Sequence, residues 1–152
     1  TEFLGLVMIN GVITTQLNRI PTTGGDVLHA MKNKDIGYSG FGEAYFSKIH
    51  GNSIKAWKMH KEMILNIIVP IGAIRFVLLD DRVSSETYGK YQKVTLSEEN
   101  YCRLTIPNMV WFGFQGVSNK ESLLLNIASI VHKQKEVERK KLNEIKFDWS
   151  NF

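Results

Sequence analysis

The chain has 152 residues, 43% hydrophobic and 22% charged, with a formal net charge of +4 and a pI near 9.2. These are ordinary globular values, and the length suits one domain with a core that needs no disulfide staples. No run approaches the roughly 18 apolar residues of a transmembrane helix, and the single cysteine, Cys102, excludes an internal disulfide and fits a cytoplasmic protein. The basic excess concentrates in residues 133–146 and reads as a solvated face. No basic stripe interleaves with stacking aromatics, so nucleic acid is not an expected partner. Residues 1–7 lack a basic leader region and are no signal peptide, and Met8 reads as the native start.

Residues 8–17 read as a strand with a turn at Asn10-Gly11. Residues 18–26, with Pro21 and Gly24-Gly25, form a loop. A short strand over 27–31 carries His29, and the Gly-rich stretch 32–42 is a loop. Residues 41–49 alternate and contain aromatics, which predicts a strand. Glu43, Tyr45 and Ser47 then share one face. After a turn at 50–53, residues 54–60 alternate again. Ile54, Ala56, Lys58 and His60 fall on one face and Lys55, Trp57 and Met59 on the other, with Lys58 and His60 about 7 Å apart. Strands follow over 63–69 and 73–80, joined by a Pro70–Gly72 turn. Beyond a loop at 81–89 come strands over 90–96, 102–106, 111–115 and 122–130. The charged run EVERKKLNEI from Glu136 predicts one or two helical turns, and the tail FDWSNF is aromatic and acidic. Short strands at 8–12-residue spacing predict an all-β sandwich or barrel. The chain is read as one domain, with a core over about 10–132 and a short helical or irregular tail over 133–152.

No P-loop, GxGxxG, HExxH, CxxC or GxSxG occurs, so nucleotide hydrolysis, dinucleotide redox and serine-hydrolase chemistry have no support. The spacing resembles the two motifs of the cupin jelly roll. Gly51, Lys58-Met59-His60, Leu65-Asn66, Pro70 and Gly72 stand at the first. Pro107 to Phe112 stand at the second. The metal-ligand positions then hold Lys58, His60, Leu65 or Asn66, and Phe112, of which only His60 is a good ligand. A metal-free barrel without a cofactor is expected.

Longer runs carry a more specific resemblance: WKMHKEM (57–63), VPIGAIRFVLLDDR (69–82), SSETYGKY (84–91), LSEENYCRLTIP (96–107), VWFGFQG (110–116) and HKQKEVER (132–139). Together they resemble the dTDP-4-dehydrorhamnose 3,5-epimerase family, in a shorter branch. That resemblance implies a nucleotide-diphosphate 4-keto sugar as substrate, bacterial surface-polysaccharide synthesis as the setting, and a homodimer. His60 matches the family's catalytic base. Lys58 or Lys61 stands where a cation would stabilise the enolate, and Asp148 and Glu138 are candidates for the carboxylate that pairs with the base. The family's later Lys falls at Leu65-Asn66 and its proton-donating Tyr at Ile130-Val131, with Tyr45 as another source of a phenol. A keto-sugar isomerase and a non-catalytic sugar-nucleotide-binding cupin are the alternatives.

His60, Lys58 and Asp148 are thus the expected catalytic residues. Lys61, Glu43, Tyr45, Asn66, Arg75, Trp111 and His29 are the expected substrate contacts. Arg75 could reach a diphosphate and Trp111 could stack on a base or sugar.

Overall fold

The computed structural model describes residues 8–150, so the extension ahead of Met8 lies outside the described residues. Twelve strands form within them: β1 (Ile13–Gln16), β2 (Arg19–Ile20), β3 (Val27–Leu28), β4 (Glu43–Ile49), β5 (Ile54–His60) and β6 (Leu65–Ile71). They continue as β7 (Ala73–Asp80), β8 (Tyr91–Ser97), β9 (Cys102–Ile106), β10 (Val110–Gly116), β11 (Ser122–Ala128) and β12 (Val137–Arg139). β4 to β11 form one long antiparallel hairpin whose tip lies between β7 and β8. From the tip outward β7 pairs with β8, β6 with β9, β5 with β10 and β4 with β11. Rolled up, the hairpin also brings β10 against β7 and β11 against β6. Two five-stranded sheets result, β1-β9-β6-β11-β4 and β12-β5-β10-β7-β8. This is the expected cupin jelly roll.

Alternation builds the interior. On β7, Ile74, Phe76 and Leu78 enter the core between the sheets, with Leu65, Ile67, Leu104, Ile106, Phe112 and Leu124 among their partners. Each such side chain contributes roughly 1.5–3 kcal/mol. A second cluster covers the outer face of the β5-containing sheet. Trp57, Met59, Val77 and Trp111 meet Ile145 and Trp149 of the tail, and Phe147 packs beside them. The Trp149 ring lies 5.5 Å from that of Trp57 and 5.1 Å from that of Phe147.

The tail keeps short helical turns as expected but adds a strand. It makes single 3-10 turns at Gln134–Glu136 and Leu142–Glu144, with β12 between them on the edge of β5. A strand edge offers a row of unpaired backbone groups, and satisfying these outweighs the weak helix preference of so short a run. Pro70 lies inside β6 rather than in a turn, past the last β9 partner and beside an irregularity in the β11 ladder, where no N–H is required. Gly72 alone makes the reversal. Its φ is +87°, and a Cβ there would lie 2.2 Å from Ser122 Oγ.

One register shift changes a face. Phe112 of β10 pairs with Lys58 and Gly113 with Ala56, leaving Trp57 without a partner on that side. Trp57 bonds instead to the backbone of Lys140. Lys58 and His60 keep their common inward face, but Ile54 now packs with the outer cluster and Lys55 turns to the inner cavity.

The hairpin tip is held by Asp80, which is 0% exposed. Its carboxylate accepts from Arg82 Nε at 2.8 Å, Arg82 Nη2 at 3.0 Å, and the hydroxyls of Ser85 and Thr87 at 2.6 Å each. Burial alone would raise its pKa, but these donors hold it well below the usual carboxylate range. Because the folded pKa lies below the unfolded one, this stabilisation is present above the unfolded value and fades as pH falls toward the folded value. Asp80→Ala is expected to cost about 3 kcal/mol or more in urea unfolding at pH 7, with the deficit relative to wild type shrinking below about pH 4.

Candidate functional site

His60 ends β5, and Lys58 stands two residues before it on the same face. Both line a cavity of about 380 Å³ between the two sheets. β4 and β11 supply the opposite wall through Tyr45, Ser47, Leu124 and Asn126, and β6 adds Leu65 and Ile67. Phe112 and Phe114 of β10 also line it, and the Phe112 ring stacks on His60 with centroids 6.1 Å apart and planes 14° apart.

His60 is 5% exposed and Glu136 4%. Nδ1–H of His60 donates to Glu136 Oε1 at 2.5 Å. The other oxygen, Oε2, accepts from the backbone N–H groups of Glu62 at 3.1 Å and Met63 at 3.2 Å. The β5–β12 register makes this meeting: Val137 pairs with His60, and Lys61 N–H donates to the Glu136 carbonyl at 2.7 Å. Burial disfavours the Glu136 charge, but the His60 bond and the two backbone donors outweigh it and lower its pKa. Burial also dominates at His60 and holds its pKa below the ordinary imidazole value, although Glu136 pulls upward. The ring is therefore neutral at neutral pH with its proton on Nδ1, which leaves the Nε2 lone pair for the cavity.

The β5 side is cationic, with Lys55, Lys58 and Arg139 lining it. Burial, then Arg139 and Lys55, lower the Lys58 pKa. Lys140 Nζ sits 4.8 Å from the centre of the Trp111 ring. The site can thus remove a proton with a neutral imidazole beside a concentrated positive field. Among the described residues, no three His, Cys, Asp or Glu side chains converge as metal ligands.

Of the residues singled out from the sequence, His60, Lys58 and Tyr45 meet at this cavity. The carboxylate on His60 is Glu136, in place of Asp148 or Glu138. Asp148 accepts from Ser150 in the tail, and Glu138, one residue out of phase, pairs with Lys61 at 3.4 Å on the surface. Lys61 follows the last residue of β5 and lies outside the cavity for the same reason. Glu43 accepts from the His132 N–H at 3.2 Å. Asn66 is committed to Thr105 Oγ1 at 2.6 Å and to the Gly37 carbonyl at 3.0 Å, tying a loop to the outside of the barrel. Arg75 and Trp111 alternate with inward residues and so face outward. Arg75 bonds Gln115 and the Trp149 carbonyl, and Trp111 joins the aromatic cluster. His29 lines a separate 140 Å³ cavity beside Arg103.

The sequence reading missed Glu136, Lys55, Arg139 and Asn126. Glu136 was hidden in a run with Glu138 and Glu144, where only strand pairing selects one carboxylate.

Residues 49–151 match the family model described as dTDP-4-dehydrorhamnose 3,5-epimerase. The chain belongs to that family. The crystal structure of a dTDP sugar isomerase from Desulfovibrio desulfuricans G20 is 38% identical, with a TM-score of 0.90 over 95% of this chain and 94% of that one. A probable low-salt glycan biosynthesis epimerase of Haloferax volcanii is 32% identical over 84 residues. The match takes in 55% of this chain, which thus spans about half (54%) of that relative's length. A spore coat polysaccharide biosynthesis protein of Bacillus subtilis is 24% identical over 147 residues, covering 94% of this chain and 97% of that protein.

The pair sets a pH signature. Glu136→Gln removes an attraction that raises the His60 pKa, so the ring should titrate at still lower pH in the variant. NMR of the His60 ring carbon against pH checks this, and an upward shift would contradict the assigned pairing.

Proposed function

We propose that the protein is an epimerase of a nucleotide-activated 4-keto-hexose serving polysaccharide or glycan synthesis. The observation that carries this reading is the buried His60–Glu136 pair, which aims a neutral imidazole into a cavity with one cationic wall. The 4-keto group acidifies the protons on C3 and C5. His60 Nε2 takes one of them, the electron pair moves onto the keto oxygen, and the Lys58 ammonium stabilises the enolate. Glu136 holds the ring and balances the imidazolium that forms. A solvent-derived proton returned to the opposite face of the same carbon inverts it, and His60 releases the proton it took to solvent. The carbonyl is itself the electron sink, so the step uses no cofactor. Lys55 and Arg139 suit the diphosphate.

The same enolate protonated elsewhere gives a keto-isomerisation, and the 38% identical structure is called an isomerase. A homodimer fits the exposed Phe46, 65% accessible on β4 at the edge of its sheet. A cytoplasmic setting fits the lone Cys102. Among the described residues, no helix is long and apolar enough to cross a membrane.

The test is solvent exchange. Nucleoside-diphosphate 4-keto-6-deoxyhexoses carrying dTDP, UDP or GDP are incubated with the protein in heavy water. Deuterium is expected at C3 or C5, with His60→Asn slowing incorporation about 10²–10⁴-fold. The rate should rise with pH through the lowered His60 pKa and reach its plateau by neutrality. Absence of incorporation with every substrate overturns the proposal.

A further inference from the structure

The wall facing His60 carries a polar pair beside Ser47 and the apolar Leu65, Ile67 and Leu124. Tyr45 and Asn126 are direct cross-strand partners on β4 and β11. Asn126 is 3% exposed, and its Nδ2 donates to the Tyr45 hydroxyl at 2.9 Å. That bond uses the phenol oxygen as an acceptor and leaves the phenol proton free to be donated elsewhere. The Asn126 Oδ1 is buried and has no hydrogen-bond partner among the described residues. A desolvated amide oxygen without a donor is costly, and such groups cluster where a ligand completes the set.

We infer that Tyr45 and Asn126 read one ring hydroxyl of the sugar, an inference that rests on the nucleotide-sugar reading above. A hydroxyl accepts from the Tyr45 O–H and donates to Asn126 Oδ1. With the existing Asn126-to-Tyr45 bond this closes a ring of three hydrogen bonds, each polarising the next. A ketone oxygen only accepts and leaves Oδ1 unpaired, and a phosphate oxygen meets a bare amide oxygen. The pair therefore turns a hydroxyl-bearing edge of the sugar toward β4 and β11. The keto group and the diphosphate fall to the side of Lys58, Lys55 and Arg139. Tyr45, 42% exposed, is the movable member that admits the ring. Asn126 acts as a specificity-determining residue and takes no part in proton transfer.

The experiment is calorimetric binding of dTDP-glucose and UDP-glucose, their 2-, 3-, 4- and 6-deoxy analogues, and dTDP and UDP alone. Removal of one particular hydroxyl should weaken wild-type binding roughly 10- to 100-fold. Asn126→Leu should bind the parent sugar nucleotide as weakly as wild type binds that analogue, and should no longer distinguish the two. The free nucleotides should bind both proteins alike. Tyr45→Phe, altered at a half-exposed ring, should lose part of the same discrimination and decides the matter if Asn126→Leu melts below the assay temperature. His60→Asn should discriminate as wild type does, which separates this outcome from any failure of the exchange assay. Equal binding of all analogues by wild type, or unchanged discrimination in the Asn126 and Tyr45 variants, overturns the inference alone. Binding of no nucleoside-diphosphate hexose overturns it together with the substrate class.

Discussion

The site depends on the 2.5 Å contact between two nearly buried ionisable groups, His60 and Glu136. Burying a carboxylate costs several kcal/mol unless donors replace its water. Glu136 has three such donors: the His60 ring and the N–H groups of Glu62 and Met63. Two of them come from the turn just past β5, so the backbone that ends the strand also solvates the carboxylate. The price of this arrangement falls on the imidazole, which burial keeps uncharged and thereby ready to accept a proton.

That contact exists because the tail is held as a strand. β12 closes the edge of β5, and beyond it Ile145, Phe147 and Trp149 fasten the chain across the outer face of the same sheet. Arg75 grips the Trp149 carbonyl at 2.8 Å, and the Tyr91 hydroxyl donates to the Lys146 carbonyl at 2.8 Å. Residues remote from the cavity thus set the register that delivers Glu136 and Arg139. The cavity is asymmetric as a result. Its β5 wall, extended by the tail, is ionic, whereas its β4–β11 wall is neutral and apolar apart from Tyr45, Ser47 and Asn126. The cavity thus sets a charged wall against a neutral one.

Several runs that carry the family likeness serve the fold. The Asp80–Arg82–Ser85–Thr87 network ties the hairpin tip to the end of β7. In LSEEN, Asn100 donates to Ser97 Oγ and to the Thr95 carbonyl, closing the β8–β9 turn. Arg103, fully buried, holds the carbonyls of Ala30 and Ile36. These residues keep two sheets in register, and a jelly roll needs that before any side chain can be aimed.

The sequence by itself determined the run of strands from β4 to β11 and the common face of Lys58 and His60, because a period of two is a local property. It also marked His60 as the ionisable group of the barrel. Tertiary structure alone decided which carboxylate meets His60, since three glutamates in one charged run carry no pattern until β12 chooses β5 as its partner. It decided as well that Lys55 turns inward and Ile54 outward, because an unpaired residue at Trp57 reverses the alternation before it. Arg75 and Trp111 obey alternation too, but a tail folded over the sheet gave their outward face a structural use that no local pattern announces. Local periodicity says which residues share a face. Only the pairing of distant strands says what that face meets.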